Sequence, residues 1–218
     1  MNALIAHFLA NDTPCILRHS SRNCHVQGLH SVMFREHNGF GLRLYVVTDD
    51  HLIWRNQRHG IPSTPMISGF HPHHSNLMLH CVHGEIVNKR AGLLVGHNHQ
   101  EDEYTQKLRR YKFDKSVEDK EIETGFVFEG FDYVRSISDI TLTAGSFLSM
   151  TSKDMHTIYV DRNQTAAWFV YNGQPDPDYV PLLWSNAELH KIDNDQLYLP
   201  MSDNELVSLL AIAKLLPA

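Results

Sequence analysis

The feature that most limits the fold of this chain is its run of short segments with period-two alternation and no helical stretch between them. Gly41–Val47 places Leu42, Leu44 and Val46 on one face and Arg43, Tyr45 and Val47 on the other. Leu77–His83, Gly125–Val134, Ile137–Leu142, His156–Asp161 and Thr165–Tyr171 follow, punctuated by Gly, Asp and Asn. Strands at such spacing without crossover helices predict an all-β sandwich or barrel. Helical spacing is confined to the ends. Ala3–Ala10 is predicted to form a helix that stops at Asn11-Asp12-Thr13-Pro14. Ser202-Asp203-Asn204-Glu205 has the form of a capping box and opens a second helix over 202–216. The polar, Gly- and Pro-containing stretch Arg55–Pro65 is expected to be a surface loop. The charged stretch Gly96–Lys120 is expected to be a long insertion or exposed hairpin.

A chain of 218 residues is the size of one domain, expected here to span 1–218 with a β core over about 30–175. Nineteen basic against 25 acidic residues give a net charge of −6, which argues against a nucleic-acid partner or a basic membrane arm. The apolar stretches fall far short of a membrane span, and Met1–Leu9 has no basic n-region, so neither membrane insertion nor secretion is expected. Three unpatterned cysteines (Cys15, Cys24 and Cys81) fit a reducing, cytoplasmic setting better than a disulfide framework.

Histidine is abundant, 16 of 218 residues, so about one His-x-His pair should arise by chance and setting must carry any inference. There are two such pairs. His71-Pro-His73 leads into the strand Leu77–His83; on an extended backbone both imidazoles point to one face, and a barrel interior would make them convergent metal ligands. A third ligand must come from elsewhere in the sheet, and His156 opens the strand HTIYV, eleven residues after Gly145. The other pair, His97-Asn-His99, sits among Glu101, Asp102 and Glu103 with no apolar strand around it, and reads as a solvated loop. His74 falls on the opposite face from its neighbours. His80 and His83 alternate on the next strand, so at most one of them faces the interior. Without a metal, His71, His73 and His156 would be polar histidines inside a barrel.

The two spacings resemble the paired motifs of the cupin superfamily. His71-x-His73, three residues, Leu77, six residues, Gly84 keeps the first, and Gly145 to His156 keeps the second. The resemblance covers roughly Gly41–Tyr171 and implies a single cupin barrel (a double-stranded β-helix, or jelly roll) with short terminal helices. Departures fall at Leu77, where the family has a Glu ligand, and at Thr151, Lys153 and Val160 in the second motif. A site with three His and no carboxylate is similar to the thiol dioxygenases of the cysteine dioxygenase type. That similarity implies a mononuclear Fe(II) centre, with Zn, Mn or Ni as alternatives. It also implies a small anionic substrate such as a thiol carboxylate, O₂ as co-substrate, and a homodimer. Arg43 or Arg35 would hold the substrate carboxylate, with Tyr45 on the same face as Arg43. Tyr171, and Tyr159 on the strand of His156, are the candidates for acid–base work. The family's crosslinking Cys falls at Leu77. Other readings are a different cupin metalloenzyme, such as a ring- or C–C-cleaving dioxygenase or an isomerase, and a ligand-binding cupin without catalysis.

Overall fold

The computed structural model describes residues 2–37, 40–51, 69–96, 99–114, 125–189 and 197–216. The expected loop Arg55–Pro65 and His97 lie outside them. After helix α1 (Asn2–Arg18) the chain forms β1 (Ser21–Arg22), β2 (Leu29–His37), β3 (Phe40–Val47) and β4 (Ser75–His83). Next come β5 (Glu85–Leu93), β6 (Thr105–Phe113), β7 (Phe126–Thr143) and β8 (Phe147–Met150). Then follow β9 (Met155–Tyr159), β10 (Ala166–Pro175), β11 (Leu182–Ser185), β12 (Leu199–Pro200) and helix α2 (Asp203–Ile212). A seven-stranded sheet in the order β12-β1-β2-β3-β10-β4-β8 faces a five-stranded sheet in the order β11-β6-β7-β5-β9. The described strand pairings are antiparallel, and the sheets curl into a half-barrel consistent with a cupin jelly roll carrying small helices. Among the described residues no helix is long and apolar enough to cross a membrane.

Alternation decides what each strand buries. Along β3 and β10, Leu44, Val46, Ala167 and Phe169 join Ile5, Phe8 and Ile16 of α1 and Leu206, Leu209 and Leu210 of α2 in one cluster. The residues that alternate with them, Val47, Trp168 and Val170, turn inward with Leu77, Leu79 and Cys81 of β4. Both helices therefore cover one face of the larger sheet, and its other face looks into the barrel.

Three expectations change. Helix α1 does not stop at Asn11-Asp12-Thr13-Pro14 but runs through it, with Pro14 inside. Asn11 Nδ2 donates to the His7 carbonyl (2.7 Å) and Thr13 Oγ1 to the Leu9 carbonyl (2.5 Å), and burial of Ile16 beyond the proline outweighs the lost backbone bond. Residues 105–113, read as part of a long insertion or exposed hairpin, form β6 inside the smaller sheet, between β11 and its antiparallel neighbour β7. Its buried residues, Thr105, Leu108 and Tyr111, recur every third position, and a bulge against β7 at Arg110/Tyr111 disrupts the register. The two segments Gly125–Val134 and Ile137–Leu142 are one strand of 18 residues, because β6 pairs with its first half and β5 with its second. The C-terminal helix forms as expected, with Ser202 as N-cap and the reciprocal Glu205 bond of a capping box.

Candidate metal centre

The segment entering β4 builds the site. Phe70 exchanges backbone hydrogen bonds with Trp184 of β11 (2.9 Å each way), and His71 exchanges them with His156 of β9 (3.0 and 3.2 Å). Two adjacent residues thus tie together both edges of the smaller sheet. Gly69 permits this approach, since a Cβ there would lie 2.2 Å from the Trp184 carbonyl oxygen. His73 N–H donates to Ser152 O (2.9 Å), so the backbone of 71–73 is extended along the 152–156 segment and sends both imidazoles the same way. The turn before His156 is held by Asp154, which accepts from Thr151 N–H (2.7 Å) and pairs closely with Arg90 of β5.

His71, His73 and His156 each offer one ring nitrogen, and these nitrogens lie within 4.8 Å of one another. The Nε2 atoms of His73 and His156 are 2.6 Å apart. His156 is buried, while His71 and His73 are half-buried and open to the cavity. The outward nitrogens of His71 and His156 are occupied. His71 Nδ1 donates to the Gly69 carbonyl (3.1 Å), and His156 Nδ1 makes a close hydrogen bond to Asn88 Oδ1. Asn88 is fully buried on β5, and its Nδ2 donates to Met150 Sδ (3.5 Å), which orients the oxygen toward the imidazole. Carrying their protons on Nδ1, His71 and His156 present Nε2 lone pairs inward, the arrangement in which a divalent ion is bound. Burial lowers the pKa of His71 to about 4. It holds His73 and His156 well below 6.5, helped by the neighbouring imidazoles and, at His156, by Arg90. All three are therefore neutral ligands near pH 7, and the donor set fits a divalent transition metal.

This trio lines a cavity of about 840 Å³ between the sheets. Arg43 and Tyr45 line it too, on alternate positions of β3. Arg43 Nη1 donates to Ser31 Oγ (2.6 Å), and its guanidinium stands 5.9 Å from the Tyr45 ring centre. Tyr45 stacks on Trp168, with centroids 5.5 Å apart. Burial, with the Cys24 sulfur close by, raises the Tyr45 hydroxyl to about 12 against the opposing pull of Arg43. Among the described residues no carboxylate pairs with Arg43, and no Asp or Glu lines the cavity.

Two lining residues carry no sequence signal. His25 Nδ1 and the Tyr198 hydroxyl share a 2.6 Å hydrogen bond across 173 positions, and both residues hold left-handed backbone (φ 71° and 52°). Burial and the Arg43 charge lower the His25 pKa to about 4. Asn88 was likewise invisible, as a lone Asn within the strand Glu85–Leu93.

The remaining candidates lie elsewhere. Arg35 is on β2, opposite Leu42; its side chain falls outside the described residues. Tyr159 and Tyr171 are not among the lining residues. Tyr171 shares the helix-covered face of β10 with Phe169, their ring centres 6.0 Å apart. Tyr159 is one residue out of phase with His156 and Ile158, and burial raises its hydroxyl pKa. His74 is an exception: exposed near Tyr179, it borders the same cavity; His80 stacks on Phe147 at 3.9 Å, and His83 bonds Thr165 Oγ1 (3.2 Å). Glu101 and Asp102, beside the second His pair, accept from the backbone N–H groups of Lys107, Tyr104 and Thr105 at the start of β6. Cys81 packs in the barrel interior and Cys24 lines the cavity; burial pushes both thiols up to about 11.

No family model matches the chain, and no curated protein matches it either. Among solved structures, it is similar to hydroxypropylphosphonic acid epoxidase from S. wedmorenis (TM-score 0.38, 12% identity, 72% of this chain and 56% of that one). It is also similar to hydroquinone 1,2-dioxygenase from Sphingomonas sp. TTNP3 (TM-score 0.32, 14% identity, 64% and 62%). A third is a polyketide cyclase from Streptomyces resistomycificus (TM-score 0.39, 8% identity, 79% and 84%). The chain spans little more than half the length of the epoxidase.

Proposed function

We propose that this protein is a mononuclear non-haem iron dioxygenase of cupin type, acting on an organic anion. The observation that carries this reading is the convergence of three neutral imidazoles, two of them fixed as Nε2 donors by Gly69 and Asn88. His71, His73 and His156 would hold the ion. Three protein ligands leave coordination positions for other molecules, and a redox-active divalent ion bound there would supply the means of joining O₂ to a chelating substrate.

The chain's own residues set what that substrate is. With neutral ligands, a divalent ion and Arg43 would bring three positive charges to a cavity whose described lining has no carboxylate. An anionic substrate is then the species that balances the site. Arg43, braced by Ser31, would orient a carboxylate through paired hydrogen bonds, and Tyr45 would stay protonated as a donor. A thiol carboxylate is the form that the likeness to thiol dioxygenases implies.

The test is metal content per purified chain, measured beside His156→Ala. Near-stoichiometric iron in the native chain, lost in the variant, is the expected result, and thiol carboxylates should then stimulate O₂ uptake. Stoichiometric metal surviving in His156→Ala would overturn the ligand assignment. Zinc or nickel with no turnover after iron reconstitution would overturn the oxygenase reading.

A further inference from the structure

We infer that the substrate carries a bulky apolar body, about the size of an aromatic ring or larger, behind its single anionic group. This rests on the metal-site reading above and sharpens its substrate class. The first observation is size. At the ~30 Å³ that a heavy atom with its hydrogens claims in liquid water, a seven-atom amino thiol would fill only about a quarter of the cavity. A volume of about 840 Å³ belongs with pockets that take ligands several times larger.

The second observation is how the lining is distributed. The charged and polar groups gather around the histidine trio, Arg43 with Tyr45, and the His25–Tyr198 pair, with Ser21, His74, Thr157, Asn172 and Tyr179 as the other polar lining residues described. Much of the remaining wall is apolar, with Leu77 and Leu79 from β4, Trp168 and Val170 from β10, Ile158 from β9 and Phe126 from β7. Water along that apolar part of the wall would meet few partners, so displacing it there by apolar surface is favourable. The third observation is charge. Arg43 is the one Arg or Lys among the described lining residues, and no described carboxylate pairs with it. One anionic group satisfies it, and the apolar wall disfavours a second.

The occupant that fits is thus a single-headed aryl or branched-alkyl anion, its charged end at Arg43 and its body between the sheets. A compact zwitterion would have to desolvate an ammonium group against a wall whose described residues give it no carboxylate.

Calorimetric titration of the chelator-treated full chain tests this apart from the metal. The probes are propionate, 3-phenylpropionate and the uncharged 3-phenylpropanol. Burial of the ring should make 3-phenylpropionate bind about tenfold or more tighter than propionate. The charge should make it bind about tenfold or more tighter than the alcohol. Arg43→Gln should erase the preference for acid over alcohol. Ile158→Phe, which fills the cavity, should weaken 3-phenylpropionate and leave propionate unchanged. Equal affinity for the two acids, no binding of any probe, or an Arg43→Gln variant that weakens acid and alcohol alike would overturn the inference. Should Arg43→Gln not fold, the acid–alcohol difference in the native chain and the Ile158→Phe result decide. Because the protein is metal-free here, failure leaves the metal assignment standing. Loss of the metal assignment likewise leaves this binding result intact.

Discussion

The two faces of the seven-stranded sheet are made from alternate residues of the same strands, yet they finish differently. On one face, Leu44, Val46 and Phe169 meet α1 and α2 in a cluster of side chains almost wholly removed from water. On the other, Arg43, Tyr45 and Trp168 border a cavity that the smaller sheet leaves open. A single step along β3 or β10 thus separates packing from chemistry. The closed face supplies the stability that lets the open face keep half-buried histidines and a guanidinium without a described carboxylate.

If that division is real, damage to one face should not register on the other. The largest effect is expected from Phe169→Ala. Phe169 is fully buried between Phe34 and Tyr171, and its truncation leaves a cavity costing about 3–5 kcal/mol. Denaturant unfolding should show that loss, while metal bound per folded chain stays at the native value. A matching loss of metal affinity in the folded fraction would break the division.

The converse probe is Asn88→Ala. Asn88 fixes the tautomer and tilt of His156 without reaching the ion itself, so the variant should lower metal affinity by about 10- to 100-fold. Competition with a chelator of known affinity measures it. Unchanged affinity would mean that the turn at Thr151–Asp154 alone orients the ring.

How far these features could be read from the sequence differs between the faces for physical reasons. Strand β4 was legible because it buries apolar residues at strict alternation, and β3 and β10 because their apolar runs supply two buried faces. Strand β6 was not, since a bulge and a charged outer face replace alternation with a three-residue spacing. The metal trio was legible because two ligands are local, two residues apart, and the third keeps a recognisable spacing from Gly145. The His25–Tyr198 contact was not, because only the folded chain joins positions 173 residues apart. Likewise, nothing in the composition of Ala3–Arg18 announces that tertiary burial carries α1 through Pro14.

A smaller effect separates the faces by pH. The closed face is built mainly of apolar side chains, with Tyr171 and His80 packed beside Phe169, whereas His25 on the open face is held at about 4 by burial and by Arg43. In the unfolded chain the same imidazole titrates near 6.5, so between these values the unfolded state binds more protons. The stability due to a neutral His25 is therefore full above about pH 6.5 and is lost as the pH falls toward 4. Urea midpoints of the metal-free chain at pH 7.5 and pH 5 should show the decline. His25→Asn, whose side chain tolerates left-handed backbone, should reduce it.

The smallest predicted effect tests whether the helices merely cover the closed face or also shape the open one. Ser202 caps α2, accepting from Glu205 N–H (3.4 Å) while Glu205 returns a bond to Ser202 N–H (2.8 Å). The same Glu205 pairs with Arg22 of β1 at 2.6 Å, next to the turn that carries Cys24 and His25 into the cavity. That ion pair is more than one-third exposed at both ends and adds little by itself. Ser202→Ala should cost about 1 kcal/mol of stability through the lost cap. If α2 is only a cover, 3-phenylpropionate affinity in the variant will equal that of the native chain. A weaker affinity beside that modest stability loss would mean that the Glu205–Arg22 link sets the position of His25, and that the helix end helps to build the site.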